Sequence, residues 1–306
     1  MSEQQPQPKS GPSDLQIIGF VVILSLVCAI ILAVMASALK VPQETAQELD
    51  RSQQMMIAAR VFTHEGYFQI KNDKGEYVPA KYAGNGKLAA SEEKVYPTRQ
   101  EILDVYQHRF IPALVDNKGN IETFKEAGVD QEKYLEDYKK SGYYKQPEKL
   151  IYKILPNPVN EKNEDAAPIG YVIPVNGFGL WDAIYGYLAV ETDGATVIGI
   201  SWYEQKETPG LGANIAEEAW QKNFYGKKIF QPDSQGKINL ESAPVGITVV
   251  KGEVKTVLAG SPKENVAVDG MPGATLTGNG VTDAYRDVLS AYRPFFIKVH
   301  NKTETQ

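Results

Sequence analysis

The most constraining feature of this 306-residue sequence is an uncharged apolar run near its start, residues 17–39. About 20 apolar residues can cross the hydrocarbon core of a bilayer as a helix, so the run predicts one transmembrane helix over residues 15–39. The alternative is a cleavable signal peptide, because 36-ASA-38 resembles a cleavage site. The run exceeds the ~7–15 apolar residues of such signals, which favours a retained anchor. A lipoprotein signal does not fit, because Val27 precedes Cys28 where a small residue is needed.

The segments that flank the apolar run do not decide its orientation. Residues 1–14 are polar and contain prolines, which is typical of a short disordered tail. Lys9 is the only lysine or arginine in that tail, whereas Lys40 and Arg51 follow the run. The positive-inside rule therefore gives only a weak lean, toward a cytoplasmic location of the remaining chain.

Composition excludes several classes of function. The chain has 38 acidic against 32 basic residues, so it lacks the positive charge that nucleic-acid partners require. Its single cysteine, Cys28, excludes an internal disulfide and an iron–sulfur cluster ligated by this chain alone. The three histidines, His64, His108 and His300, have no metal-ligand spacing. The sequence therefore predicts no metal site, and it contains no recognisable set of catalytic side chains.

The rest of the chain predicts an α+β fold with antiparallel hairpins. Residues 40–165 form a linker helix over 43–62 and a variable α/β region, whereas residues 166–306 form a separate domain. The elements predicted in that domain are strands 169–175, 185–191 and 196–204, a helix over 213–224 and a hairpin over 247–257. A C-terminal amphipathic helix is predicted from apolar residues at helical spacing, which are Val281, Ala284, Tyr285, Val288, Leu289 and Tyr292.

A glycine-rich stretch, 269-DGMPGATLTGNGV-281, leads directly into this last helix. Backbone N–H groups and the positive end of the helix dipole converge at such a place, which favours a bound phosphate. Neither a Walker loop nor a dinucleotide-binding fingerprint is present. The structural alternative is an ordinary turn in which Thr277 or Asn279 caps the helix.

The stretch resembles the flavinylation motif of the FMN-binding family that includes the C subunit of sodium-translocating NADH:quinone reductase and the G subunit of Rnf-type complexes. The family's motif is D-x-x-[S/T]-G-A-T, and here it ends at Thr275. Two further motifs, 207-ETPGLG-212 and 179-GLW-181, stand upstream in the same order as in the family. Pro272 departs from the pattern, because the family has a hydroxyl residue at that position.

The resemblance implies one FMN, esterified through its phosphate to Thr275 by a dedicated flavin transferase. Trp181 and Leu211 are then expected to form walls for the flavin ring, unless they are ordinary core residues. The other residues expected to contact the cofactor are Thr208, Gly210, Gly212, Gly273, Ala274, Leu276 and Thr277. A second Gly-Ala-Thr ends at Thr196, but it lies in a predicted hairpin turn with no helix behind it and is discounted.

The resemblance further implies a single-pass protein of the bacterial inner membrane whose soluble part faces the periplasm. Its partners would be the other subunits of a sodium-translocating NADH:quinone oxidoreductase, within which it would transfer electrons. Two alternatives remain open from the sequence: the Rnf-type G subunit of a ferredoxin:NAD oxidoreductase, and an anchored or secreted binding protein without a cofactor.

Overall fold

A long helix and a six-stranded antiparallel sheet dominate the structure, a computed structural model that describes residues 13–156 and 167–304. The chain divides into two compact units, residues 1–48 and 49–306. The predicted disordered tail, residues 1–14, lies outside the described residues except for its last two positions.

Helix α1 (Asp14–Ala58) contains both the predicted transmembrane helix and most of the predicted linker helix as one continuous element. Over Asp14–Lys40 its apolar side chains are exposed, and none of this segment is buried against other parts of the protein. A core helix of a soluble protein would bury a large part of such a surface. By length and composition the segment can cross a membrane, as predicted.

The C-terminal end of α1 belongs to the second unit and stops at Ala58, four residues before the predicted end. Arg60 N–H donates to Ile57 O at 2.9 Å and Val61 N–H donates to Met56 O at 2.8 Å, which is a Schellman motif. Arg60 occupies the position that usually holds glycine, with φ 55°. Its guanidinium lies between two aromatic rings, 3.7 Å from the centre of Tyr77 and 4.2 Å from that of Tyr225. These cation–π contacts offset the strain of the left-handed backbone.

The main sheet has the strand order β5-β4-β6-β7-β8-β9, and every neighbouring pair is antiparallel. Its strands are β4 (Phe110–Val115), β5 (Ile121–Glu122), β6 (Lys149–Ile154), β7 (Gly170–Phe178), β8 (Ala183–Glu191) and β9 (Val197–Glu204). A smaller antiparallel sheet contains β1 (Phe68–Lys71), β2 (Tyr77–Tyr82) and β3 (Leu88–Ala90). The α+β class is confirmed, as is the antiparallel pairing of the strands predicted at 185–191 and 196–204. The main sheet joins strands from both sides of the division predicted at residue 166.

The main sheet has an apolar core on each face. Along β7 and β8, Ile173 and Leu188 point into one cluster while Val172 and Ala189 point into the other, as the two-residue period of strands requires. The first cluster is covered by α6 (Thr275–Ala291) and α7 (Arg293–Glu304), and the second by the end of α1 together with α2 (Arg99–Arg109) and α3 (Gln131–Asp137). The residues predicted for the buried face of the C-terminal helix are all buried.

Two predicted elements differ from the structure. The helix over 213–224 is broken into a 3₁₀ turn, the short helix α4 (Glu218–Gln221) and a second 3₁₀ turn. The hairpin predicted over 247–257 is wrong. Instead β10 (Thr248–Val249) pairs in parallel with β11 (Ala267–Val268), and the chain between them contains the short helix α5 (Val254–Val257).

Candidate flavin site

Helix α6 begins at Thr275, six residues earlier than the pattern from Val281 predicts. The difference arises because Gly278 and Gly280 lie inside the helix, although glycine costs roughly 1 kcal/mol there relative to alanine. Close neighbours require glycine at position 280 and leave little space at position 278. A Cβ on Gly280 would lie 2.0 Å from the carbonyl oxygen of Phe178, and one on Gly278 would lie 3.0 Å from Val249 Cγ1. Packing of the helix against β7 and β10 therefore overrides the intrinsic preference of glycine.

The turn before α6 explains the departure from the family motif. Ala274 N–H donates to Met271 O at 3.1 Å, and Gly273 has φ 75°. This combination is that of a type II β-turn, in which proline is favoured at the second position and glycine at the third. Pro272 is therefore a residue that this turn prefers, and the turn needs no hydroxyl at that position to form.

Asp269, the first residue of the motif, holds the opposite wall of the site in place. Its Oδ1 accepts a hydrogen bond from Val254 N–H at 2.7 Å, and its carbonyl accepts one from Trp220 Nε1 at 3.0 Å. The next residue, Gly270, packs so closely that a Cβ there would lie 2.1 Å from Val250 O. Residues 250–254 are thereby fixed against the motif.

Between these two segments lies an open cavity of about 570 Å³, lined by residues 249–253 on one side and by residues of 269–279 on the other. Thr275 is exposed and lines this cavity. In the described part of the chain no side chain caps the start of α6, so its first-turn N–H groups remain available. Those donors and the helix dipole make the position beside Thr275 suitable for a phosphate group.

Thr277 is placed differently from the prediction. It does not cap the helix; its hydroxyl donates to Glu207 Oε2 at 2.5 Å, and the residue is 1% exposed. The expectation of capping is wrong because the helix begins two residues before Thr277. The other Gly-Ala-Thr threonine, Thr196, is also engaged, since its hydroxyl donates to Asp193 and accepts from Lys228. Of these three threonines, Thr275 is the exposed one.

Glu207 connects the three motifs, a role that no pattern in the sequence predicts. Although burial raises the pKa of its carboxyl, hydrogen bonds from the Thr277 hydroxyl and from the backbone N–H groups of Trp181 and Leu180 outweigh that effect and lower the pKa below its ordinary value. The carboxylate is therefore charged at neutral pH. The only sequence signal was its place as the first residue of 207-ETPGLG-212.

Apolar side chains gather on the surface next to the start of α6. Trp181 is 68% exposed and Leu211 41% exposed, so neither is an ordinary core residue. Trp181 Nε1 donates to Thr208 Oγ1 at 3.1 Å, and Leu211 Cδ2 lies 3.0 Å from where a Cβ on Gly273 would be. Leu276 is exposed, as are Phe178 and Leu180, two residues that were not among the predicted cofactor contacts.

The remaining predicted contacts are glycines and an alanine in the same loops. Gly210 has φ 74° in the turn that precedes Leu211. Gly212 leaves space for its neighbours, because a Cβ there would lie 2.5 Å from Thr277 Oγ1 and 2.8 Å from Glu207 Oε2. Ala274 is buried immediately before Thr275 and lines the cavity. Among the described residues, no group of three or more His, Cys, Asp or Glu is placed to hold a metal ion.

Residues 179–290, which contain this site, match the family model of the FMN-binding domain. Relatives that match over nearly the full length identify the family more closely than this domain match does. The chain is 40% identical to the C subunit of the Na(+)-translocating NADH-quinone reductase of Chlamydia pneumoniae, covering 94% of this chain and 92% of the relative. It is 32% identical to the same subunit of Vibrio parahaemolyticus, with 93% and 94% covered. The chain belongs to the family of C subunits of Na(+)-translocating NADH-quinone reductases.

Solved structures support the fold. The crystal structure of the C subunit from Parabacteroides distasonis matches with a TM-score of 0.52 at 23% identity, covering 84% of this chain and 96% of that one. The crystal structure of Shewanella oneidensis NqrC matches with a TM-score of 0.51 at 23% identity, covering 84% and 99%. Between the two kinds of subunit that the motif resembles, the near full-length relatives are quinone-reductase C subunits.

Proposed function

We propose that this chain is a membrane-anchored flavoprotein subunit that carries one FMN on Thr275 and transfers electrons within a sodium-translocating NADH:quinone reductase. The observation that carries the proposal is the placement of Thr275, an exposed hydroxyl at the first residue of α6 that lines the adjacent cavity. The neighbouring threonine hydroxyl, on Thr277, is buried and donates to Glu207.

Attachment of FMN to Thr275 is a transfer of a flavin phosphoryl group. A flavin transferase would use an activated donor, a flavin dinucleotide. The Thr275 Oγ–phosphorus bond forms while the phosphoanhydride bond to the nucleoside monophosphate breaks, and the hydroxyl proton passes to a base of the transferase. The first-turn N–H groups of α6 would face the resulting phosphodiester, which keeps one negative charge.

The side chains around Thr275 suit a flavin ring. The isoalloxazine is a flat body with apolar faces and a polar edge, so it needs apolar walls and a few hydrogen-bonding groups. Trp181, Leu211 and Leu276 supply exposed apolar surface, and Thr208 holds the Trp181 indole in place. When bound, FMN supplies the electron-transfer chemistry, and the protein supplies position and electrostatics.

The apolar part of α1 would anchor the subunit in the bacterial inner membrane. Its exposed apolar surface over Asp14–Lys40 supports a retained span. Flavin transferases of the kind that the family uses act outside the cytoplasm, so residues 40–306 would lie on the periplasmic side. The partners would then be the transferase and the other subunits of the reductase complex.

The proposal is tested by the intact mass of the full chain produced with and without a flavin transferase. We expect a gain equal to one FMN minus one water, present only with the transferase, together with flavin absorbance that survives acid denaturation. Fragmentation should place the added mass on Thr275. A chain of unchanged mass would contradict the proposal and support the cofactor-free binding protein.

A further inference from the structure

Glu207 lies where the three segments of the proposed flavin site meet. One carboxylate oxygen accepts from Trp181 N–H at 3.0 Å, and the other accepts from Leu180 N–H at 3.1 Å and from Thr277 Oγ1 at 2.5 Å. The residue itself belongs to the 207–212 loop, which carries Leu211. A single carboxylate thus joins the Trp181 turn, the Leu211 loop and the first turn of α6.

Two glycines leave the room that this carboxylate needs. A Cβ on Gly179 would lie 2.4 Å from Glu207 Oε1, and a Cβ on Gly212 would lie 2.8 Å from Glu207 Oε2. Any larger side chain at either position would push the carboxylate away from its donors. Gly179 of the motif 179-GLW-181 and Gly212 of the motif 207-ETPGLG-212 therefore fit around Glu207.

Glu207 is a buried charge without a cationic partner in the described part of the chain. It is 5% exposed, and its oxygens accept hydrogen bonds from neutral donors instead of forming an ion pair with Lys, Arg or His. Neutral donors spread such a charge but do not cancel it, and low-dielectric surroundings screen it less than water would. Its field therefore extends into the adjacent site.

We infer that Glu207 is a positioning residue that fixes the Trp181 and Leu211 walls relative to Thr275, and that its negative charge lowers the reduction potential of a flavin held there. The inference rests on the proposed function, because it assumes FMN on Thr275. The sign of the effect follows from electrostatics: adding an electron to a flavin becomes less favourable beside a fixed negative charge.

The charge is tested by the midpoint potential of the flavin in the flavinylated full chain. Glu207→Gln removes the charge and keeps the size, so the potential should rise. Thr277→Val keeps the charge and removes one of its donors, so the potential should fall. Glu204→Gln, which neutralises an exposed carboxylate three residues earlier, is the matched control and should leave the potential unchanged.

Opposite shifts in Glu207→Gln and Thr277→Val support the inference, because simple loosening of the fold would move both potentials in the same direction. If the flavin in Glu207→Gln has a midpoint potential equal to or below that of the wild type, the inference is overturned. If Glu207→Gln does not fold, Thr277→Val decides alone: a lower potential supports the role of the charge, and an unchanged or higher potential contradicts it.

The positioning role has a readout that needs no flavin. The protein is produced without the transferase, and the NMR resonance of the Trp181 indole N–H is assigned by comparison with Trp181→Phe. This resonance reports the hydrogen bond from the indole to Thr208 Oγ1. Glu207→Gln should shift and broaden that signal, whereas Glu204→Gln should not. An unchanged signal overturns the positioning role. Failure of the proposed function itself would be seen separately, as a wild-type chain that gains no flavin mass.

Discussion

The Thr277 hydroxyl lies 2.5 Å from the carboxylate of Glu207, 70 residues earlier in the chain. Both residues are buried, with exposures of 1% and 5%. The contact removes Thr277 from the set of hydroxyls that a transferase could reach, and it ties the first turn of α6 to the 207–212 loop. Thr275, two residues earlier on the same helix turn, has its side chain at the surface.

Replacing Thr277 should destabilise the fold without removing the flavin. Thr277→Val keeps the branched shape but leaves a buried carboxylate with one donor fewer, which typically costs about 1.5–3 kcal/mol. Urea unfolding of the second compact unit, residues 49–306, measures the change. Thr277→Ser retains the hydroxyl and should lose much less stability. Equal losses in the two variants would mean that the methyl group, not the hydrogen bond, matters at this position.

The contribution of Glu207 to stability should depend on pH. Its pKa in the folded protein is lowered from the ordinary 4.5, because the hydrogen bonds from Thr277, Trp181 and Leu180 outweigh the effect of burial. A lowered pKa in the folded state stabilises the protein above the pKa of the unfolded chain, and this stabilisation is lost as the pH falls below 4.5 through the folded pKa.

The stability difference between wild type and Glu207→Gln should therefore be largest at neutral pH and shrink on acidification below 4.5. Urea unfolding over that pH range measures it, with Glu204→Gln as the exposed control. A difference that grows on acidification would contradict the lowered pKa.

Gly280 should tolerate no side chain. Although alanine is a better helix former, its Cβ would lie 2.0 Å from the carbonyl oxygen of Phe178, and backbone atoms cannot move aside as a flexible side chain can. Gly280→Ala should therefore cost about 1–3 kcal/mol of unfolding free energy. Asn279→Ala, on the exposed side of the same turn, should be close to neutral. A stabilised Gly280→Ala would show that helix propensity, not packing, governs this turn.

Local patterns in the sequence predicted most of the elements but not all of their ends. Apolar, β-rich runs predicted the strands that form β7, β8 and β9, and the spacing of Val281, Ala284 and Tyr285 predicted the buried face of α6. The start of α6 was missed because Gly278 and Gly280 act as helix breakers in a local reading. Only the approach of the Phe178 carbonyl shows why glycine is required at position 280, and the approach of Val249 shows why a small residue suits position 278.

Long-range contacts account for the other differences. Parallel pairing of β10 with β11 joins residues about 19 positions apart, whereas the glycine at position 252 locally favours a hairpin. Glu207 looks like an ordinary surface acid in sequence, because its burial depends on partners in two distant motifs. The motifs identified the candidate site, and the contacts between them identified the residue that joins them.

The N-terminal span should remain in the mature protein. Its apolar run is longer than that of a signal peptide, and the segment Asp14–Lys40 exposes its apolar side chains. Sequencing the mature N-terminus should show a start before residue 14, and a start at Leu39 would establish cleavage.

A reporter that is active only in the cytoplasm, fused after Gln306, should be silent; an active reporter would contradict a periplasmic location.

The central claim, that Thr275 carries the flavin, is tested most directly by flavin fluorescence of single-site variants on a denaturing gel, where only covalently bound cofactor remains. Each full-length variant is produced together with a flavin transferase. The wild type, Thr277→Val and Thr196→Val should give fluorescent bands, whereas Thr275→Val, which keeps the size and branching of the side chain, should give a dark band of equal protein content. A fluorescent Thr275→Val band would contradict the assignment, and a dark Thr277→Val band beside it would move the attachment to Thr277.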